Sequence, residues 1–160
     1  MRINVLAVGR MKQGPERELV ARYLDRAAAS GKSLGLTGFA VAELVESRAS
    51  SPAARKTEEA RALHEHLPGT GTLVALDERG ALMGSDDFAK KLGRWRDDGV
   101  QNLSFVIGGA DGLDPGFVRS ATLILSFSPL TWPHQLVRIM LAEQLYRATT
   151  ILSGHPYHRE

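Results

Sequence analysis

Short apolar runs alternate with longer segments of helical periodicity from one end of the chain to the other, and this alternation constrains the fold more than any other feature. RINVLAVG (2 to 9), FAVAELVE (39 to 46), GTGTLVALD (69 to 77), LSFVIGG (103 to 109) and ATLILSF (121 to 127) read as strands. The first, third, fourth and fifth are apolar with little interruption, the mark of strands covered on both faces. Between them lie PERELVARYLDRAAA (15 to 29), with Leu19, Tyr23 and Ala27 at helical spacing, and the segment from Pro52 to Leu67, with Ser51 as its cap. SDDFAKKLGRWRDDG (85 to 99), with Ser85 as its cap, and Pro115 to Ser120 read as further helices, and a last one starts at Pro133. Strict alternation predicts an α/β domain over residues 1 to 160, built on a mainly parallel sheet of five to six strands.

A chain of 160 residues is long enough to bury a core without a covalent staple. It has no cysteine, which excludes disulfides, thiolate metal sites and cysteine nucleophiles and makes a reducing cytoplasm the simplest compartment. MRINVLAVGRMKQG carries no cleavage pattern, and no run reaches the length of a membrane span, so a soluble protein is expected. The net charge is only +2 at a sequence pI near 9.1, which leaves nucleic acid open as a partner without requiring it.

The last helix is apolar over more than one stripe. Leu136, Met140, Leu141, Leu145, Ala148 and Leu152 form one, and Val137, Ile139, Ala142, Tyr146 and Ile151 widen it. One stripe packs on the sheet; the simplest cover for the rest is a second copy of the chain, a homodimer.

In open α/β sheets ligands bind beyond the carboxyl ends of the strands. LDERG, GGADGL and SFSPLTW lie there, and Gly108 and Gly109 leave room for a backbone to approach a ligand. GGADG matches neither the dinucleotide fingerprint nor the P-loop. His64, Glu65 and His66 lack the spacing of a metal site, and no metal is expected. Asp86, Asp87, Asp97 and Asp98 read as helix-end solvation, and no G-x-S-x-G occurs. The end of the chain concentrates reactive groups: His134 opens the last helix, Arg138 follows one turn later, and Tyr157, His158 and Arg159 come after Gly154 and Pro156. Such a set can hold phosphate, stack on a base and accept a proton. A solvated helix end accounts for it equally well.

LDERG (76 to 80), FVIGGADGL (105 to 113), LSFSPLTWPHQLVR (125 to 138), EQLYRA (143 to 148) and HPYHRE (155 to 160) together resemble the pseudouridine methyltransferases of the large ribosomal subunit, of the SPOUT class. MRINVLAVGRMK resembles that family's opening, so the likeness runs end to end. It implies a SPOUT-type α/β knot, a C-terminal trefoil knot in which the carboxyl segment is threaded through a loop, and a homodimer. It implies S-adenosylmethionine as cofactor, held by Leu76, Gly108, Gly109, Ser128, Pro129, Leu130, Thr131, Trp132 and Pro133. The implied reaction is methylation at N3 of a pseudouridine in a hairpin loop of 23S ribosomal RNA on the assembled 70S ribosome. Tyr157, His158 and Arg159, supported by Arg138 and His134, are the expected catalytic group, with His158 as candidate base. Two other readings stand beside it: a non-catalytic ribosome-binding factor of the same fold, and a flavodoxin-like or nucleotide-binding domain suggested by the alternation alone.

Overall fold

The computed structural model describes residues 1–158, so Arg159 of the expected catalytic group lies outside the described residues. Five strands and five α-helices alternate as the sequence predicts: β1 (Arg2–Val8), α1 (Pro15–Gly31), β2 (Thr37–Leu44), α2 (Pro52–His66), β3 (Thr72–Leu82), α3 (Ser85–Asp97), β4 (Asn102–Ile107), α4 (Pro115–Ser120), β5 (Leu123–Ser126) and α5 (His134–Ser153). The strands form one parallel sheet in the order β2-β1-β4-β3-β5. No described helix is long and apolar enough to cross a membrane.

The apolar runs are continuous because both faces of the sheet are covered. Ile3, Val5 and Ala7 of β1 join Leu103 and Phe105 of β4 in a core under α1, α3 and α5. Leu6, Val8 and Val106 point the other way, into a smaller core with Leu63 of α2 and Phe117 of α4. On the first face α5 packs between α1 and α3. Leu141, Ala142, Leu145 and Ala148 of α5 are buried there, whereas Leu136 is 40% exposed and Met140 only half-buried. The inner stripe therefore starts later along α5 than its apolar spacing suggests. In α1 the buried residues are Val20, Leu24, Ala27 and Gly31, and Leu19 and Tyr23 sit at the edge.

Helix starts follow local chemistry with one correction. Ser51 caps α2, its Oγ accepting the Ala54 amide at 3.2 Å. Asp114 caps α4, its carboxylate accepting the amides of Gly116 and Phe117 at 2.7 and 3.0 Å. Ser85 does not cap α3: it is the first helical residue after Gly84, and its hydroxyl donates to Gln144 Oε1 at 2.9 Å, tying α3 to α5.

The larger departure is in β3, expected to end at Asp77. Val74 to Leu76 pair with Leu123 to Leu125 of β5, the chain makes an excursion over Asp77 to Gly80, and Ala81 and Leu82 then pair with Leu125 and Ser126. A Cβ on Gly80 would stand 2.7 Å from the Ile124 carbonyl, so the excursion lies against β5 too closely for a side chain there. Ser126 Oγ donates across it to the Glu78 carbonyl at 3.1 Å.

Candidate active site at the carboxyl edge of the sheet

Strands β3, β4 and β5 deliver three loops to one edge of the sheet, and the start of α5 closes them into a cavity of about 680 Å³. That volume is in the range of roughly 300–1,000 Å³ usual for small-molecule sites. From the first loop come Leu76, Asp77, Glu78 and Arg79; from the second, Gly108 to Leu113. The third contributes Phe127, Ser128, Leu130, Thr131 and Trp132, and Pro133, His134 and Val137 complete the wall at α5. Of the nine residues expected around the cofactor, eight line this cavity; Pro129 does not.

Glycine is required at one of these positions and fits most easily at a second. A Cβ on Gly108 would stand 2.8 Å from the backbone of Gly112, and one on Gly109 would stand 3.0 Å from Val8 Cγ1. The loops are also bonded to one another. Thr131 Oγ1 donates to Glu78 Oε2 at 2.8 Å, joining the first loop to the third, and the Arg79 amide donates to Asp77 Oδ1 at 2.9 Å. Asp77, Glu78, Arg79 and Asp111 belong to the LDERG and GGADGL segments, which sequence reasoning placed at the strand ends without singling these side chains out. Their charge was the available signal.

The structure separates the four described residues of the five expected to act together. His134 lines the cavity. Arg138 does not: it is only 2% exposed, and its guanidinium points beneath the site into the ends of β1 and β2. Its Nη2 donates to the carbonyls of Val8 and Gly9 at 2.7 and 2.6 Å, and its Nη1 donates to Glu43 Oε1 at 2.9 Å. Glu43 in turn accepts the Met11 amide at 2.8 Å. Burial lowers the guanidinium pKa from its ordinary value and the nearby Glu43 charge opposes that shift. Arg138 is thus a fastener between α5 and the sheet, not a group free to meet a substrate.

Tyr157 and His158 lie beyond the end of α5 and pack back against its side. The Tyr157 hydroxyl donates to Glu143 Oε1 at 3.2 Å, its ring packs 4.6 Å from that of Tyr146, and the Arg147 guanidinium stands 5.0 Å over it. His158 sits between Arg147 Nη1 and Asp86 Oδ1, each 3.3 Å from one ring nitrogen. Arginine only donates, so Nδ1 accepts from Arg147 and Nε2 carries the hydrogen toward Asp86. Glu143 and Arg147 lie nine and thirteen residues beyond His134, so at 1.5 Å per residue the tail is about 14–20 Å along the helix from the cavity of its own chain.

Partial burial, with Glu143 and Tyr23 close by, pushes the Tyr157 phenol up to about 12. A phenol whose folded pKa exceeds its unfolded value of 10.0 favours the folded tail below pH 10, and this contribution is lost between pH 10 and about 12. Absorbance titration at 295 nm is expected to show a tyrosine ionising near pH 12 that disappears in Tyr157→Phe. Loss instead of a tyrosine that ionises near pH 10 would rule out this environment.

A family model described as "Predicted SPOUT methyltransferase" matches residues 1–158. The chain is 56% identical over 159 residues to the ribosomal RNA large subunit methyltransferase H of Bradyrhizobium diazoefficiens, and 58% identical over 159 residues to that of Allorhizobium ampelinum; each alignment covers 99% of both chains. In fold it is similar to the crystal structure of a probable methyltransferase from Bordetella pertussis Tohama I, with a TM-score of 0.51 at 17% identity over 92% of this chain and 95% of that one. With a family match that spans nearly the whole sequence and full-length relatives above half identity, the chain belongs to the SPOUT methyltransferase family.

Proposed function

We propose that this protein is an S-adenosylmethionine-dependent methyltransferase that methylates N3 of a pseudouridine in a hairpin loop of 23S ribosomal RNA, on the assembled 70S ribosome, as a cytoplasmic homodimer. The observation that carries this reading is the meeting of the three loops in one glycine-floored cavity, in a chain whose full-length relatives are named ribosomal RNA large subunit methyltransferase H.

The cavity suits the cofactor. Leu76, Ile107 and Leu113 offer apolar surface for an adenine ring, the glycines leave backbone groups to face the ligand, and Asp77 and Glu78 offer carboxylates to an ammonium group. Bound there, S-adenosylmethionine supplies a methyl group already activated by a positive sulfur. The protein's own work is to align the acceptor nitrogen and to remove its proton. Tyr157, held protonated, serves as a donor that orients the base when its hydrogen turns from Glu143 to the substrate. His158 is the candidate proton acceptor, and entry of the substrate must displace Arg147 from Nδ1 to free that lone pair.

Two features support the dimer and the knot. Leu136 of α5 is exposed, and half-buried Ile139 and Met140 line a groove with Leu19, Tyr23, Phe88 and Phe127. Packing two such faces together covers the apolar surface, and with the helices antiparallel it brings the tail of one copy to the cavity of the other. The excursion from Asp77 to Gly80, paired to β5 on both its sides, supports threading of the carboxyl segment through that loop.

The test is incubation with methyl-labelled S-adenosylmethionine and ribosomes from a strain lacking the gene, followed by mapping of label on the 23S RNA. Label at one hairpin-loop pseudouridine on 70S particles, with little on free RNA, is the expected result. Cofactor binding without label on ribosomes would overturn the substrate, and absence of binding would favour a non-catalytic ribosome-binding factor.

A further inference from the structure

The β4 side of the cavity is a turn with few side chains to hold it. The Gly112 amide donates to the Gly109 carbonyl at 3.0 Å, the two residues pair as an isolated bridge, and Gly112 takes φ of 80°. A turn of this composition buries little apolar area and opens readily unless something outside it holds it.

What holds it is α2. Arg55, in the first turn of that helix, grips Asp111 with two bonds, Nε to Oδ2 at 2.6 Å and Nη2 to Oδ1 at 3.1 Å. Its remaining arm, Nη1, donates to the Ala49 carbonyl at 3.1 Å and ties in the loop before α2. One turn further on, buried Glu59 accepts the Ser47 amide at 3.0 Å, and its Oε2 would lie 3.4 Å from a Cβ on Gly109. The pairing holds the Asp111 carboxyl below its ordinary range and raises the Arg55 guanidinium. Asp111 lines the cavity, whereas neither Arg55 nor Glu59 does. A bidentate grip sets orientation as well as distance, which a point charge does not.

We propose that Arg55 is a positioning residue for the cofactor cavity: its fork on Asp111 fixes the turn from Gly109 to Gly112 in its binding shape, without touching the ligand. The inference deepens the methyltransferase reading and rests on it only for the identity of the ligand.

The test compares the full-length protein with Arg55→Ala and Arg55→Lys. In the absence of any ligand, amide hydrogen exchange from Gly109 to Gly112 is expected to quicken about tenfold in Arg55→Ala, the scale of one partly exposed charge-assisted contact, with β1 and β4 unchanged. Calorimetric affinity for S-adenosylmethionine is expected to fall by a similar factor, and Arg55→Lys to recover only part of it. In methyl transfer the loss is expected in KM for the cofactor, with kcat within about twofold. Unchanged exchange in the turn, or faster exchange throughout the sheet, would overturn the proposal, as would full recovery by lysine. If the unaltered protein binds no S-adenosylmethionine, the methyltransferase reading fails, and the exchange measurement alone still decides whether Arg55 holds the turn.

Discussion

Deletion of Tyr157 to Glu160 is expected to abolish methyl transfer to ribosomal RNA while leaving the sheet, the cavity and cofactor binding in place. Among the described residues, only peripheral interactions go with the tail: a hydroxyl on Glu143, an aromatic face on Tyr146 and under Arg147, and an imidazole between Arg147 and Asp86. At about 1 kcal/mol for an aromatic pair and less for exposed polar interactions, the fold is weakened little. The reaction loses the groups proposed to orient the base and take its proton, and proton transfer alone is worth roughly 10²–10⁴ in rate. The comparison to make is transfer rate beside calorimetric affinity for S-adenosylmethionine. Full transfer by the shortened chain would remove the tail from the mechanism.

The second large effect is expected at Arg138, and it falls on stability first. Arg138→Met keeps most of the volume but takes the buried guanidinium from Glu43, which keeps the Met11 amide and Arg17, and from the carbonyls of Val8 and Gly9. Removing one partner of a buried ion pair costs about 3–5 kcal/mol, which for a domain of this size lowers Tm by roughly 10 °C. Cofactor affinity is expected to fall as well, because the same bonds seat the first turn of α5, whose His134 and Val137 form part of the cavity wall. Thermal melts of the variant are the measurement. A Tm within about 2 °C of the parent would mean that the ends of β1 and β2 satisfy themselves in another way.

These two positions also mark where sequence reasoning succeeds and where it stops. Strands such as LSFVIGG were legible because burial on both faces leaves an uninterrupted apolar run, and their carboxyl ends locate a site by geometry common to open parallel sheets. The resemblance then selected eight of the residues that line the cavity and passed over its charged ones, Asp77, Glu78, Arg79 and Asp111. Arg138 was misplaced because charged side chains are seldom buried, and its spacing from His134 suggests a shared exposed face. Only the positions of Val8, Gly9 and Glu43 in space reveal its partners. The second half of β3 was hidden for a similar reason: RGAL looks like a turn, and its pairing depends on where β5 arrives more than forty residues later.

The order of strands carries a consequence for synthesis. β1 lies inside the sheet, yet its neighbour β4 begins at Asn102, a hundred residues after Arg2. A nascent chain therefore holds its first strand open on one edge until most of the protein has been made. Sheets closed by such distant pairings form slowly and expose strand edges while they wait. The third loop of the cavity, the helix that closes it and the tail are all encoded after β4, so a chain released early has much of the sheet and none of the completed site. A copy terminated before α5 lacks a wall of the cavity and is thus expected to be catalytically silent.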